Sequence, residues 1–284
     1  MRIANLAGRL HLLTEAGAID VADAGGGRFD PDPQQIYSQW AAFRTWADSA
    51  ELPPGRPYDP ADLGSPVPAP AQLIAVGLNY RDHAAEAGFA EPEGLPPVFG
   101  KFVSSISGPR TDVRLPEGDV DWEIELAVVI GAAASAVAEE RAIGHVAGYT
   151  VAQDLSERRL QFSGPAPQWG LSKSYAGFTP LGPWLVTPDE LPDMLSLTAE
   201  LNGETVQDGN TADLIHPVRR LVARLSEVVT LLPGDVILTG TPAGVGMGRK
   251  PPRYLRPGDV LTSTIDGIGT LEQRFTRGLH GPTP

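Results

Sequence analysis

Thirty-two glycines and 28 prolines interrupt a chain of 284 residues. They follow no period and fall between short apolar runs, which excludes a collagen-like or low-complexity chain. Glycine and proline at this density mark frequent turns and favour a β-rich body. Apolar residues make up 42% of the chain, enough to bury a real core and too many for a disordered segment. The length suits one large domain, or one large domain with a small one.

Composition removes several classes of function. The formal net charge of −13 argues against a nucleic-acid backbone or an anionic membrane surface as partner. A small anionic substrate is still allowed, because a metal or a few local cations override the global charge. No cysteine is present, so disulfides, thiolate metal sites and a cysteine nucleophile are excluded. No segment reaches the roughly 18–20 apolar residues of a membrane span, and the N-terminus does not read as a secretion signal. The expectation is a soluble, cytoplasmic protein.

Along the chain, residues 1–13 read as a short hairpin. Residues 32–50 show helical spacing, with Ile36, Trp40, Phe43 and Trp46 on one face as core residues. A proline-rich stretch from Leu52 to Pro70 follows, and its stiff, extended character places a boundary near residue 70. We therefore expect a small N-terminal domain with linker over 1–70 and a catalytic domain over 71–284. Strands are expected at 73–76, 124–130, 146–152, 195–201, 236–239, 260–265 and 271–275. Asn202-Gly203 marks a hairpin. Residues 79–86 look helical up to Gly88, and 213–231 reads as one amphipathic helix with Pro217 in its first turn and Leu214 and Val228 on its apolar face.

Chemistry concentrates in few places. Glu123 and Glu125 stand two apart at the start of the apolar run, so a strand puts both carboxylates on one face. Two like charges beside a core are costly without a cation to join them. Asp154 ends the next strand. Three carboxylates at strand ends, with no cysteine, form a hard-oxygen set that suits Mg²⁺ or Mn²⁺ better than Zn²⁺. The alternative is a pair of glutamates facing solvent at a sheet edge. His83 and Glu86 are neighbours on one helical turn, where a carboxylate can orient a general base for water, although such pairs also occur on plain surfaces. Lys173 is one of three lysines and lies in a loop rich in glycine and aromatic residues, suited either to an anion or to solvent. Arg158 and Gln161 follow Asp154 at a helix start and can bind a carboxylate. The loop Leu238-Thr-Gly-Thr-Pro-Ala-Gly-Val-Gly lacks the ending of a nucleotide-binding loop, yet its N–H groups can hold a carboxylate or an enolate oxygen.

Seven stretches in order carry a resemblance. They are Gly77-Leu-Asn-Tyr-Arg-Asp-His-Ala-Ala-Glu, Pro97-Val-Phe-Gly-Lys, Asp121-Trp-Glu-Ile-Glu-Leu, Gly148-Tyr-Thr-Val-Ala-Gln-Asp, Lys173-Ser-Tyr-Ala-Gly-Phe, Asn202-Gly-Glu-Thr-Val-Gln-Asp-Gly and Thr239-Gly-Thr-Pro-Ala-Gly-Val-Gly. Over roughly residues 73–275 the chain resembles the fumarylacetoacetate hydrolase family. The resemblance implies an α+β, β-rich fold of mixed incomplete β-barrel type with rolled sheets, a small N-terminal α+β domain, and a homodimer. It implies Mg²⁺ or Mn²⁺ at Glu123, Glu125 and Asp154, a water-activating dyad of His83 and Glu86, and Lys173 facing the oxyanion. Tyr80, Arg158, Gln161 and Thr241 match substrate-side positions.

The implied reaction is hydrolysis of a C–C bond in a 2,4-dioxo acid of acylpyruvate or fumarylpyruvate type. The same site can serve a decarboxylase or an isomerase of a 2-oxo diacid, and a catalytically silent member is the remaining alternative. The chain departs from the family pattern at Gln153, Arg159 and Ala176, where Asn, Asp and Asp are common. These departures bear on substrate recognition, and Arg159 is a candidate for a second substrate carboxylate. The segment around residues 80–90 is expected to close over the site.

Overall fold

The computed structural model describes residues 1–86, 88 and 94–278. Part of the segment expected to close over the site, residues 87, 89 and 90, lies outside them. Strands dominate and helices are few and short. The strands form an eleven-stranded sheet, a five-stranded sheet and a two-stranded ribbon, none of them a closed barrel.

Strand Ile124–Ile130 lies deep in the large sheet. It pairs antiparallel with Val146–Gln153 on one side and with Val236–Leu238 on the other. All seven of its residues are buried, which explains the unbroken apolar run. Ile124 and Leu126 join a core shared with the five-stranded sheet, including Leu197, Leu261 and Phe275. Farther along, Val128 and Ile130 pack in a cluster with Leu221 and Leu225 of helix Val218–Ser226. Ala127 and Val129 face the other way, toward Phe29, Trp40 and Phe43.

The N-terminal segment forms a three-stranded meander, Arg2–Leu6, Arg9–Thr14 and Gly17–Asp20, and a helix, Trp40–Ser49. Strand Arg2–Leu6 also pairs with Thr179–Val186, so backbone hydrogen bonds cross the division proposed at residue 70. The Asn202-Gly203 turn connects Ser196–Leu201 to Glu204–Asn210, with both turn residues at positive φ.

One expected element changes. The helix read over 213–231 spans Val218–Ser226, with Pro217 at its N-cap. Proline disfavours helical backbone in the residue before it, so the helix does not run back through His216. Leu214 instead bridges to Tyr80, and Val228 is 75% exposed.

Candidate metal centre and active site

Strand register assembles the carboxylates. Ile124 stands opposite Gln153, and the Asp154 N–H donates to the Glu123 carbonyl at 2.9 Å, so Asp154 arrives beside Glu123. Ala127 stands opposite Leu238, which brings Gly240 to Glu125, and the Gly240 N–H donates to its carboxylate at 2.7 Å. One ligand oxygen from each of Glu123, Glu125 and Asp154 falls within 4.8 Å of the others, and all three residues are buried. The two glutamates therefore face the interior, against the edge-exposed alternative.

Three cations share this space with four carboxylates. The Lys173 ammonium donates to Glu123 at 2.6 Å and to Asp154 at 2.7 Å. The Lys101 ammonium donates to Asp154 at 2.5 Å and to the Phe178 carbonyl at 3.1 Å. Arg158 donates to Asp121 from Nε and to Glu123 and Gln161 through its terminal nitrogens. Glu125 has no ion-pair partner among the described residues, and the cluster is one positive charge short.

The proton affinities follow this imbalance. Burial, together with the charges of Asp154 and Glu123, pushes the Glu125 carboxyl well above its usual range. Burial also acts against ionised Glu123, but Lys173 and Arg158 outweigh it and hold that carboxyl at about 2. Burial lowers the Lys101 ammonium more than Asp154 raises it, whereas for Lys173 the pull of Asp154 and Glu123 exceeds the cost of burial. A converging set of hard oxygens with one uncompensated carboxylate fits a divalent cation.

The other expected site residues divide by location. Helix Arg81–Glu86 carries His83, whose Nδ1 lies 3.3 Å from the Glu86 carboxylate. His83, Arg158, Gln161, Lys173 and Thr241 line one cavity of about 120 Å³ with the three metal-type carboxylates. Thr241 also accepts a hydrogen bond from Gln207 at 2.8 Å. Tyr80 is buried outside that lining, near Glu125, and its hydroxyl has no hydrogen-bond partner among the described residues.

The glycine-rich loop does hold carboxylates, and they belong to the protein itself. Beyond the Gly240 contact, the Gly244 N–H donates to Glu86 at 3.1 Å. The N–H groups of Gly246 and Met247 donate to Asp121 at 2.6 and 3.0 Å. The loop thus ties down the strand start, the Arg158 partner and the dyad at once.

The three departures lie away from the cavity. Gln153 is fully buried; its side chain accepts from the Glu123 N–H at 2.9 Å and donates to Ser263 at 2.8 Å. Its role here is to fix the backbone of a metal-type residue. Arg159 points outward onto Asp119, with its side chain 68% exposed, and offers nothing to a second substrate carboxylate in this cavity. Ala176 is exposed.

Sequence reading passed over Lys101, Asp121 and Gln207. Lys101 and Asp121 sit inside quoted motifs, and the rarity of lysine was a usable signal. Gln207 also sits inside one of those motifs, but its neighbours do not reveal its task, which is to accept from the Ile124 N–H 83 residues away and to donate to Thr241.

Comparison with known proteins agrees with the geometry. Residues 72–276 match the family model described as "Fumarylacetoacetate (FAA) hydrolase C-terminal". A Burkholderia cenocepacia (strain HI2424) protein named "Putative hydrolase" is 48% identical over 233 residues, covering 77% of this chain and 82% of its own length. A crystal structure of a "putative HpcE protein" from Mycobacterium smegmatis shares 56% identity and a TM-score of 0.94, covering 98% of this chain and 99% of that one. A maleylpyruvate hydrolase from Sphingobium sp. SYK-6, solved in complex with manganese (II) ion and pyruvate, shares 29% identity and a TM-score of 0.75 over 98% of this chain and 100% of that one.

Proposed function

The chain belongs to the fumarylacetoacetate hydrolase family, and from that premise we propose that it hydrolyses a C–C bond in a 2,4-dioxo acid with Mg²⁺ or Mn²⁺. The observation that carries this reading is the convergence of Glu123, Glu125 and Asp154 in one cavity with His83 and Lys173. The relative solved with manganese and pyruvate supports the choice of metal and of a pyruvate-type product.

Glu123, Glu125 and Asp154 would hold the metal. When bound, it supplies a Lewis acid that polarises a 2-oxo group. His83 presents Nδ1 to Glu86, which leaves Nε2 to take a proton from water. The water oxygen adds to C4 of the substrate, and the Lys173 ammonium stabilises the oxyanion that forms. The C3–C4 bond then breaks. C4 leaves as a carboxylate and C3 takes a proton as the methyl group of pyruvate, so one water yields two acids and one released proton. Arg158, beside Glu123, serves the carboxylate of the pyruvate end, with Gln161 and Thr241 along the wall. Tyr80, which the resemblance puts on the substrate side, is buried near Glu125 outside the cavity lining and has no assigned step here. The homodimer belongs to the same reading, and light scattering at twice 30.1 kDa would support it.

The test is pyruvate or CO₂ release from acetylpyruvate, fumarylpyruvate and oxaloacetate with Mg²⁺, Mn²⁺ or EDTA, repeated with His83→Ala. Metal-dependent cleavage of a 2,4-dioxo acid, lost in the variant, is the expected result. Oxaloacetate decarboxylation that survives in the variant, without dioxo-acid cleavage, would overturn hydrolysis in favour of a decarboxylase.

A further inference from the structure

Asn79 lies in the turn between strand Leu73–Val76 and helix Arg81–Glu86, and it is fully buried. Its carboxamide is committed at both atoms. Nδ2 donates to the Thr239 carbonyl at 2.8 Å and to the His216 carbonyl at 3.1 Å, and Oδ1 accepts from the His216 N–H at 2.8 Å. The Asn79 carbonyl accepts from the Ile215 N–H at 2.8 Å. These side-chain partners lie 137 and 160 positions along the chain, so one residue joins three distant segments.

Two of those segments lead to the site. Thr239 donates to the Leu126 carbonyl through its N–H and its hydroxyl, at 3.1 and 3.0 Å, directly after Glu125 on the strand. Gly240 follows, and its N–H holds the Glu125 carboxylate. A Cβ on Gly240 would stand 2.9 Å from the Asn79 Cβ, so the loop and the turn meet without room between them. In the other direction, Asn79 stands two residues before the helix that carries His83 and Glu86. The far end of that helix is fixed to the same loop, through Glu86 and the Gly244 N–H. Leu78, on the cavity wall, has φ 54°, a left-handed conformation that is costly for leucine. Such a residue persists where its surroundings over-determine the backbone, and the Asn79 contacts do so.

The residue type is specific. Two carbonyls need donors and one N–H needs an acceptor. A short carboxamide meets that demand, whereas aspartate or leucine of similar size does not. Without it, three buried backbone groups lose this partner.

We infer that Asn79 is the positioning residue of the His83–Glu86 dyad. Its carboxamide sets the helix against the strand of Glu123 and Glu125, so the dyad stands in place before any substrate binds. Asn79 is not part of the cavity lining, so it acts through the dyad rather than on the substrate. Residues 80–86, the described start of the segment expected to close over the site, are thus fastened to the body at both ends. The inference rests on the proposed hydrolysis for the dyad's task; the fastening of the helix is separate from it.

The test uses the full chain and reads the helix directly. Amide hydrogen exchange over residues 79–86 is followed by mass spectrometry in the metal-free protein and with Mn²⁺ plus oxalate. The parent should show the same protection in both states, within about twofold. Asn79→Ala should speed exchange in this peptide about 10-fold, beyond any change elsewhere. With Mn²⁺ and acetylpyruvate, its kcat should fall about 100-fold at an unchanged KM, the low end of what an oriented base contributes. Asn79→Ser, whose hydroxyl keeps one donor and one acceptor, should recover part of both effects. Asp259→Asn removes polar contacts far from the helix, and as a stability control it should leave this peptide's exchange and kcat as in the parent.

A parent helix that gains protection only with Mn²⁺ and oxalate overturns the inference, and that arm needs no variant. Faster exchange spread evenly over Asn79→Ala, or an unchanged kcat in a variant whose helix is loosened, overturns it as well. Local loosening in Asn79→Ala, with no cleavage of a dioxo acid by the parent, would overturn the hydrolysis and leave the fastening of the helix standing.

Discussion

The Glu86 carboxylate accepts a hydrogen bond from the Gly244 N–H at 3.1 Å, while its other oxygen lies 3.3 Å from His83. A helix of six residues is thereby fastened to the glycine-rich loop that also grips Glu125 and Asp121. The dyad and the metal-type cluster share one support, so positioning one constrains the other.

That support depends on Gly248. A Cβ there would lie 2.6 Å from the Glu86 carboxylate carbon, the far end of a flexible side chain. Gly248→Ala should push Glu86 off Gly244 and away from His83 without disturbing the fold. Turnover of a 2,4-dioxo acid should fall about 10²-fold, the low end of what an oriented general base contributes. Mn²⁺ affinity, followed by calorimetry, should stay as in the parent; a parallel loss of metal would refute the assignment.

Glu125 is the carboxylate without a cation. In Glu125→Gln the amide oxygen keeps the Gly240 contact and the like-charge cost disappears. The metal-free variant should melt higher at neutral pH, and a gain of about 1 kcal/mol would read as roughly 2–4 °C in a chain of this size. The stabilisation given by Mn²⁺ should shrink or vanish. An unchanged metal response in a thermal melt would remove Glu125 from the ligand set.

Lys173 contributes differently with and without metal. Lys173→Gln leaves Glu123 and Asp154 short of a positive charge, so the metal-free protein should lose stability. Added Mn²⁺ should restore much of it, because the carboxylates then have their cation. Hydrolysis should stay about 10²–10³-fold down even in the metal-loaded variant, since the oxyanion loses its donor. Full recovery of kcat with metal would count against that role.

Asp259 provides a pH test away from the site. Its carboxylate accepts from Asn202, Arg253 and the Arg256 N–H at 2.7–2.8 Å. Partial burial opposes its ionised form, but these donors prevail and its carboxyl lies below the usual range. A depressed folded-state value stabilises the protein above the unfolded carboxylate range, about pH 3.9, and the contribution fades as pH falls through the folded value. Asp259→Asn should cost about 1.5–3 kcal/mol at pH 7 by urea denaturation. The gap from the parent should narrow below about pH 4; a pH-independent gap would rule out the charge as its source.

Local chemistry was legible before any fold was known. The Glu123/Glu125 spacing fixed two carboxylates on one strand face, and the buried run behind them announced an interior strand. Asn202-Gly203 announced its hairpin, because few sequences suit two successive residues at positive φ. Pro217 carried the correct helix start as well, although the apolar spacing around it pointed to a longer helix.

Pairings across long stretches of chain were decided by tertiary structure alone. Strand register delivers Asp154 to Glu123, and a parallel neighbour brings Gly77 and Gly240 to the same end of the sheet. The same packing commits Arg158 to Asp121, sets Lys101 on Asp154 and turns Arg159 outward. Sequence determines which groups exist and which face of an element they share, because helix and strand periods are local. Which charges meet, and which are left without a partner, depends on elements 30 to more than 100 residues apart closing on one core.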